Sequence, residues 1–208
     1  MNHKNKSKEI YTIGYSCFDL DSFLNAIKKH NITAIADVRS QPYSKFKSEF
    51  NKEILEGFLK RNEVAYVFLG DELGARIEEK ECYVNGRVDF KLVSKSNKFL
   101  AGINRLNRGM ENYRIALMCA EKDPLSCHRT LLICRYLSKN NTKVKHILFD
   151  GQIEEHVESD RRLLKMHKLD HPDMFKTEQE RIDEAYGLQS QKIAYEETNN
   201  IDSDGDRE

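Results

Sequence analysis

Short apolar runs alternate with helical stripes along this chain, and that alternation constrains its fold more than any other feature. Residues 10–15 read as a first strand closed by Gly14. Asp19 or Asp21 then caps a helix whose stripe, Leu20, Phe23, Leu24 and Ile27, follows the 3.6-residue period. Residues 32–38 are nearly continuous in apolar character, as a strand covered on both faces must be. A second helix carries Phe50, Ile54, Leu55, Phe58 and Leu59 on one side, and residues 64–69 make a third strand. Residues 70–89 are polar and glycine-containing and read as a long loop. A helix with Phe99, Leu100, Ile103 and Leu106 follows, then a strand ending at Met118 or Cys119. Residues 131–137 are apolar almost all round, so their helix is heavily buried, and residues 144–149 supply a fifth strand. The pattern predicts an α/β fold: a mostly parallel open sheet of about five strands with helices on both faces, Rossmann-like and three-layered.

Composition sets the boundaries. The 208 residues suit one domain of ordinary size plus extensions. Residues 1–8 are expected to be a disordered polar lead-in and residues 9–151 the core domain. Residues 152–195 are expected to form a helical extension packed on it, and residues 196–208 a disordered acidic tail. Lys+Arg and Asp+Glu are both 34, a balance that disfavours a surface built to coat nucleic acid but leaves room for a local basic cleft. No apolar run approaches membrane-spanning length, and no secretory leader is expected before Ile10. The five cysteines follow no disulfide framework. A cytoplasmic protein with no membrane partner is the expectation.

The chemistry concentrates in residues 117–129, where a turn between strand and helix gathers Cys119, Glu121, Cys127, His128 and Arg129. In open α/β sheets ligands bind at such turns, and helix N-termini add N–H groups and partial positive charge that suit anions. A second group, Asp37, Arg39, Ser40, Pro42 and Ser44, closes the second strand. Asp37 and Arg39 are two apart and share a face, from which they could reach the same crevice. A guanidinium beside hydroxyls suits a phosphate or carboxylate. A structural ion pair of Asp37 with Arg39 or Arg129 is the equal alternative. Gly70, Asp71, Glu72, Gly74 and Arg76 form a weaker third group, with no GxGxxG or GxxxxGK[ST] pattern.

Taken together, these motifs resemble the DUF488 family, a domain of unknown function. The matching pieces are Tyr11 through Ser16, then Asp37, Val38 and Arg39 with Pro42 and Ser44. Leu69 and Gly70 with Leu73 and Gly74 come next, followed by Met118 through Glu121 with Cys127, His128 and Arg129. They run in the family's order across residues 10–151, and residues 173–195 are similar to the C-terminal extension of longer members. The resemblance implies an α/β fold and a pocket lined by these motifs, with no settled activity. One departure stands out: the first motif usually reads Thr-Ile-Gly-His-Ser, and Tyr15 replaces the histidine.

Cys127 falls at or just before a helix start beside two cations, which favours its thiolate and permits nucleophilic catalysis. Asp37, Glu121 and Cys127 are the candidate catalytic residues, and Arg39, Ser44, His128 and Arg129 the candidate anion ligands. Gly14, Tyr15, Ser16, Glu72 and Cys119 are expected to line the pocket. Cys119 and Cys134 read as packing residues. The spacings of Cys119, Cys127 and His128, with Cys17 or Glu121, match no paired metal motif. No metal ligands are therefore assigned and no cofactor is required, although a divalent metal or zinc held by spatial neighbours stays open. His30, His146, His156, His167 and His171 read as surface or packing residues.

These readings favour an intracellular enzyme, a hydrolase or transferase, acting on a phosphate-bearing small molecule or nucleic-acid end. Tyr15, Tyr43 or Tyr83 is available to stack on a base. The rivals are a non-catalytic nucleotide-sensing or nucleic-acid-binding module whose C-terminal helices engage a partner protein, and a cysteine-based or metal-dependent protein.

Overall fold

The computed structural model describes residues 8–196. Its first half runs β1 (Glu9–Gly14), α1 (Leu20–Lys29), β2 (Ala34–Asp37), α2 (Lys52–Arg61), β3 (Ala65–Phe68) and α3 (Gly70–Leu73). A hairpin, β4 (Tyr83–Val84) and β5 (Arg87–Val88), leads to α4 (Phe90–Val93), α5 (Asn97–Asn112) and β6 (Ile115–Cys119). After a π-helical turn, Arg129–Cys134, come α6 (Arg135–Lys139), β7 (Lys143–Ile147), β8 (Ile153–Glu155), α7 (His156–Met166) and α8 (Glu178–Ile193).

Local chemistry explains the starts. Asp19 caps α1 reciprocally: its Oδ1 accepts from Ser22 N at 2.8 Å, and its own N–H donates to Ser22 Oγ at 3.1 Å. Losing such a cap costs about 1 kcal/mol. Asn85 and Gly86 turn the hairpin with φ of 52° and 77°. A two-residue Asn-Gly turn needs positive φ at both positions.

Six strands form one sheet in the order β3-β2-β6-β1-β7-β8, parallel except for β8, which runs antiparallel to β7. The sheet has the mostly parallel build expected, and Ile153–Glu155 adds a sixth, antiparallel edge strand where a helix was expected. The stretch read as one long loop holds α3, a 3-10 turn and the hairpin. Lys8 accepts from Lys143 N, and Glu196 bridges to Arg87, so both join the ordered frame. The remainder of the expected lead-in and tail lies outside the described residues.

Side chains alternate across the pleat and divide the core in two. Tyr11, Ile13, Ile35, Ala116 and Met118 pack under α1 and α2 with Phe23, Phe50 and Leu55. Ile10, Ala34, Ala36, Leu117, Cys119 and Val144 pack on the other face, against α5, the π-helical turn, α7 and α8. Helices thus cover both faces, giving the three-layer α/β architecture. No helix of the described residues is long and apolar enough to cross a membrane.

Candidate functional site

The carboxyl ends of β2, β6 and β1 lie side by side in the middle of the sheet, and the residues read as functional gather there. Register decides which of them meet. Asp37 pairs with Met118, while Cys119 pairs with Gly14, so Asp37 and Cys119 project from opposite faces. The two main motifs therefore straddle the sheet rather than share one crevice.

On the α1/α2 face, Asp37 is fully buried and saturated. It accepts from Arg39 N, Nε and Nη2 and from the Tyr66 hydroxyl, at 2.6 to 3.1 Å. Arg39 Nη2 also donates to the Phe50 carbonyl at 2.9 Å, and its guanidinium lies 4.9 Å from the Tyr15 ring centroid. Tyr15 stacks on Phe50 with centroids 4.6 Å apart. Burial works against the Arg39 charge, but Asp37 more than restores it and holds the guanidinium protonated. Burial and then Asp37 push the Tyr66 hydroxyl well above its ordinary range.

On the opposite face, the turn after β6 is built by Asp123, whose Oδ1 accepts from Leu125 N at 3.0 Å, and by Pro124 in the first helical position. Two residues from the C-terminal extension fasten it: Arg162 of α7 donates to Asp123 at 2.7 Å, and Gln189 of α8 donates to the Leu125 carbonyl at 2.9 Å. Cys127, His128 and Arg129 follow, all buried. His128 Nε2 donates to the Val38 carbonyl at 3.0 Å, the link that ties this turn to β2. Its Nδ1 lies 3.8 Å from both Cys119 Sγ and Cys127 Sγ.

Arg129 is fully buried. Nη1 donates to the Glu121 carbonyl at 2.7 Å, while Nε and Nη2 have no hydrogen-bond partner among the described residues. Glu121 Oε2, which forms a 4.0 Å ion pair with Nη1, is also buried and has no hydrogen-bond partner among them. Gly14 makes room for this arrangement: a Cβ there would lie 1.8 Å from the Glu121 carbonyl oxygen and 3.2 Å from Arg129 Nη2.

Charge follows geometry. Burial pushes the Cys127 thiol up, but a hydrogen bond from Cys119 and the neighbouring Arg129 and His128 cations outweigh it, leaving Cys127 well below the usual thiol range. Cys119, the donor in that contact, is raised by it and by burial. Burial and the Cys127 charge raise Glu121. Burial also raises the exposed-rim thiol Cys17, while Lys122, Lys47 and Arg129 pull it the other way.

Gly14, Cys119, Glu121, Cys127, His128 and Arg129 therefore form one cluster, and Asp37, Arg39 and Tyr15 another behind it. Ser44 serves its own loop, its Oγ accepting from Phe46 N and Lys47 N. Ser16 is exposed and donates its N–H to the Ala120 carbonyl at 3.1 Å. Glu72 lies apart, paired with Arg105 of α5. The sequence reading missed Arg162, Gln189 and the Val38 carbonyl; only Asp123-Pro124, a capping signature, hinted that the turn was built. A cavity of about 830 Å³ opens elsewhere, between the hairpin, α4, α6 and α8. Its Arg87 and Arg135 are already paired with Glu196 and Asp183. The unpaired buried groups at Arg129, rather than that cavity, mark the site.

Fold and cluster together define a three-layer α/β protein with a polar centre at the carboxyl ends of its middle strands. The family model of a domain of unknown function, DUF488, matches residues 19–136, and the chain belongs to that family. Comparison with curated proteins and with solved structures gives no match.

Proposed function

We propose that this protein is an enzyme, a hydrolase or transferase, acting on a nucleotide or nucleic-acid-related phosphate held by Arg129. One observation carries the reading. A fully buried guanidinium keeps two of its nitrogens, Nε and Nη2, without an acceptor among the described residues, although buried polar groups are nearly always satisfied. An anion supplies that acceptor, and an oxyanion of phosphate matches the guanidinium fork. Lys47, which donates to the Phe18 carbonyl, and Lys122, next to Glu121 in the chain, add positive charge that favours the same ligand.

In this reading Glu121 moves a proton, because its carboxyl is half-buried beside Arg129 and held above its ordinary range by burial. The Asp37–Arg39 pair lies on the other face, beside Val38, whose carbonyl accepts from His128. Tyr15 is committed to Phe50 and Arg39, so the base of a nucleotide finds its stacking surface elsewhere on the rim.

The test is a thermal-shift panel of nucleotides, sugar phosphates and short oligonucleotides against wild type and Arg129→Lys. Ligand at a hundred times its dissociation constant adds about 2.7 kcal/mol, and the variant loses that gain. Glu121→Gln keeps the binding and loses turnover. A folded protein with no response to any phosphate compound overturns the proposal.

A second reading, a binding module with a protein partner at its C-terminal helices, is favoured by Met174 and Phe175. They are adjacent between α7 and α8 and 95% and 91% exposed. Binding that depends on Arg129 without turnover of any bound compound selects it.

A further inference from the structure

We propose that Cys119, Cys127 and His128 form a three-ligand site for a thiophilic divalent metal, with zinc as its occupant and the fourth tetrahedral position open to solvent or substrate. This goes beyond the phosphate reading and does not depend on it.

The donor atoms of Cys119, Cys127 and His128 all lie within 4.8 Å of one another, and all three residues are buried. Zinc bonds sulfur at about 2.3 Å and imidazole nitrogen at about 2.0 Å, so tetrahedral ligands sit about 3.5 Å apart, sulfur to nitrogen. The two observed separations are 3.8 Å each. A contraction of a few tenths of an ångström completes the geometry, within the reach of a side-chain rotation.

The surroundings are those of a metal-bound imidazole. The Nε2–H of His128 donates to the Val38 carbonyl at 3.0 Å, which turns Nδ1 toward the two sulfurs, where a metal takes the place of its proton. Metal-ligating histidines regularly make this outer bond to a carbonyl or carboxylate. One divalent cation takes the place of the protons that Nδ1 and the two sulfurs share in the metal-free cluster. Both cysteines stand on firm elements, Cys119 at the end of β6 and Cys127 at the start of the π-helical turn, braced by Arg162 and Gln189.

Glu121 stands beside this set rather than in it: its Oε2 has no hydrogen-bond partner among the described residues and lies 4.0 Å from Arg129 Nη1. Two thiolates and a divalent ion are neutral together, and the adjacent Glu121 and Arg129 charges offset each other. Glu121 is the half-exposed member of the cluster, so its side marks where solvent or a substrate oxygen reaches the open position.

The experiment uses the full chain, purified without a histidine tag and reduced, with cobalt(II) as the probe and zinc measured by mass spectrometry. Wild type is expected to retain about one zinc per chain against a weak chelator. On cobalt exchange it should show the thiolate-to-metal charge-transfer band and the intense visible bands of a tetrahedral ion. Cys119→Ser, Cys127→Ser and His128→Asn lose the charge-transfer signature or shift it. Glu121→Gln keeps both sulfur contacts and the charge-transfer band, and Cys17→Ser, outside the cluster, leaves the spectrum unchanged. Should the ligand variants fail to fold, alkylation of the wild type decides: zinc must protect Cys119 and Cys127 together while Cys17 reacts. The proposal falls if folded wild type gives no charge-transfer band, if the band survives in Cys119→Ser and Cys127→Ser, or if zinc leaves both cysteines reactive. Since the probe is the metal alone, a failed phosphate panel leaves this site standing, and a metal-free protein leaves the Arg129 reading standing.

Discussion

Asp37→Asn is the sharpest probe of the frame that holds the site. The carboxylate is fully buried and takes both Nε and Nη2 of Arg39, at 2.9 and 2.6 Å, along with the Tyr66 hydroxyl at 2.8 Å. Removing its charge leaves the Arg39 guanidinium uncompensated in the interior, and breaking a buried pair this way costs about 3–5 kcal/mol. The asparagine amide must also turn an N–H group toward donors that need an acceptor. For a chain of this size about 3 kcal/mol lowers Tm by roughly 6–12 °C. Replacing both partners, Asp37→Asn with Arg39→Met, removes the orphan charge and should return to within about 2 kcal/mol of wild type; the remaining loss includes the Phe50 carbonyl, which Arg39 now serves. Urea unfolding at constant m-value measures all four corners of the cycle. The reasoning is refuted if Asp37→Asn costs less than about 1 kcal/mol, or if the two single changes simply add. The double variant has a second use. Asp37 and Arg129 lie on opposite faces, so its response to phosphate ligands should match wild type, and losing that response would contradict the register argument.

Other outcomes follow from the same contacts. His146 and His156 form a buried chain from Thr12 to Tyr186 and Asp160, with links of 2.8, 3.0, 3.3 and 2.7 Å. Burial first, and for His146 the neighbouring His156 charge second, hold both imidazoles below their ordinary value. The unfolded chain takes up protons near pH 6.5 that the folded chain refuses, so stability falls as pH drops below that value, by up to about 1.4 kcal/mol per pH unit for each histidine. Urea unfolding at pH 7.5 and 5.5 should show this, with a shallower slope in His156→Gln; equal slopes would contradict it. Gly14→Ala places a methyl 1.8 Å from the Glu121 carbonyl oxygen and should cost about 3 kcal/mol, read as lost soluble yield and an early thermal transition. Near-wild-type stability there would mean that the Glu121 carbonyl does not lie over β1.

Legibility in the sequence tracks how local each determinant is. The parallel core declared itself because its strands are short apolar runs and helices such as α1 carry one clean stripe with a cap. β8 escaped because three residues, Ile153–Glu155, hold no period, and only pairing with β7 makes them a strand. The hairpin was missed although Asn85-Gly86 announced it; the polar residues around it outweighed a two-residue signal. His146 and His156, read as surface or packing residues, form a buried chain that joins β1, β7, α7 and α8, and no linear pattern records that. The site shows the same limit more sharply. The types at 119, 121, 127, 128 and 129 were readable, but their grouping depends on register: shifting β6 by one residue would turn Cys119 toward Asp37 and away from His128. Metal spacing rules could not group Cys119, Cys127 and His128 for the same reason, since they describe residues borne on one turn or hairpin. Cys119 and Cys127 stand on two different elements and are brought together by an eight-residue excursion that Asp123, Arg162 and Gln189 pin in place. The chemistry of this chain was therefore written locally, while its geometry was set by strand pairing and by a C-terminal extension more than thirty residues downstream.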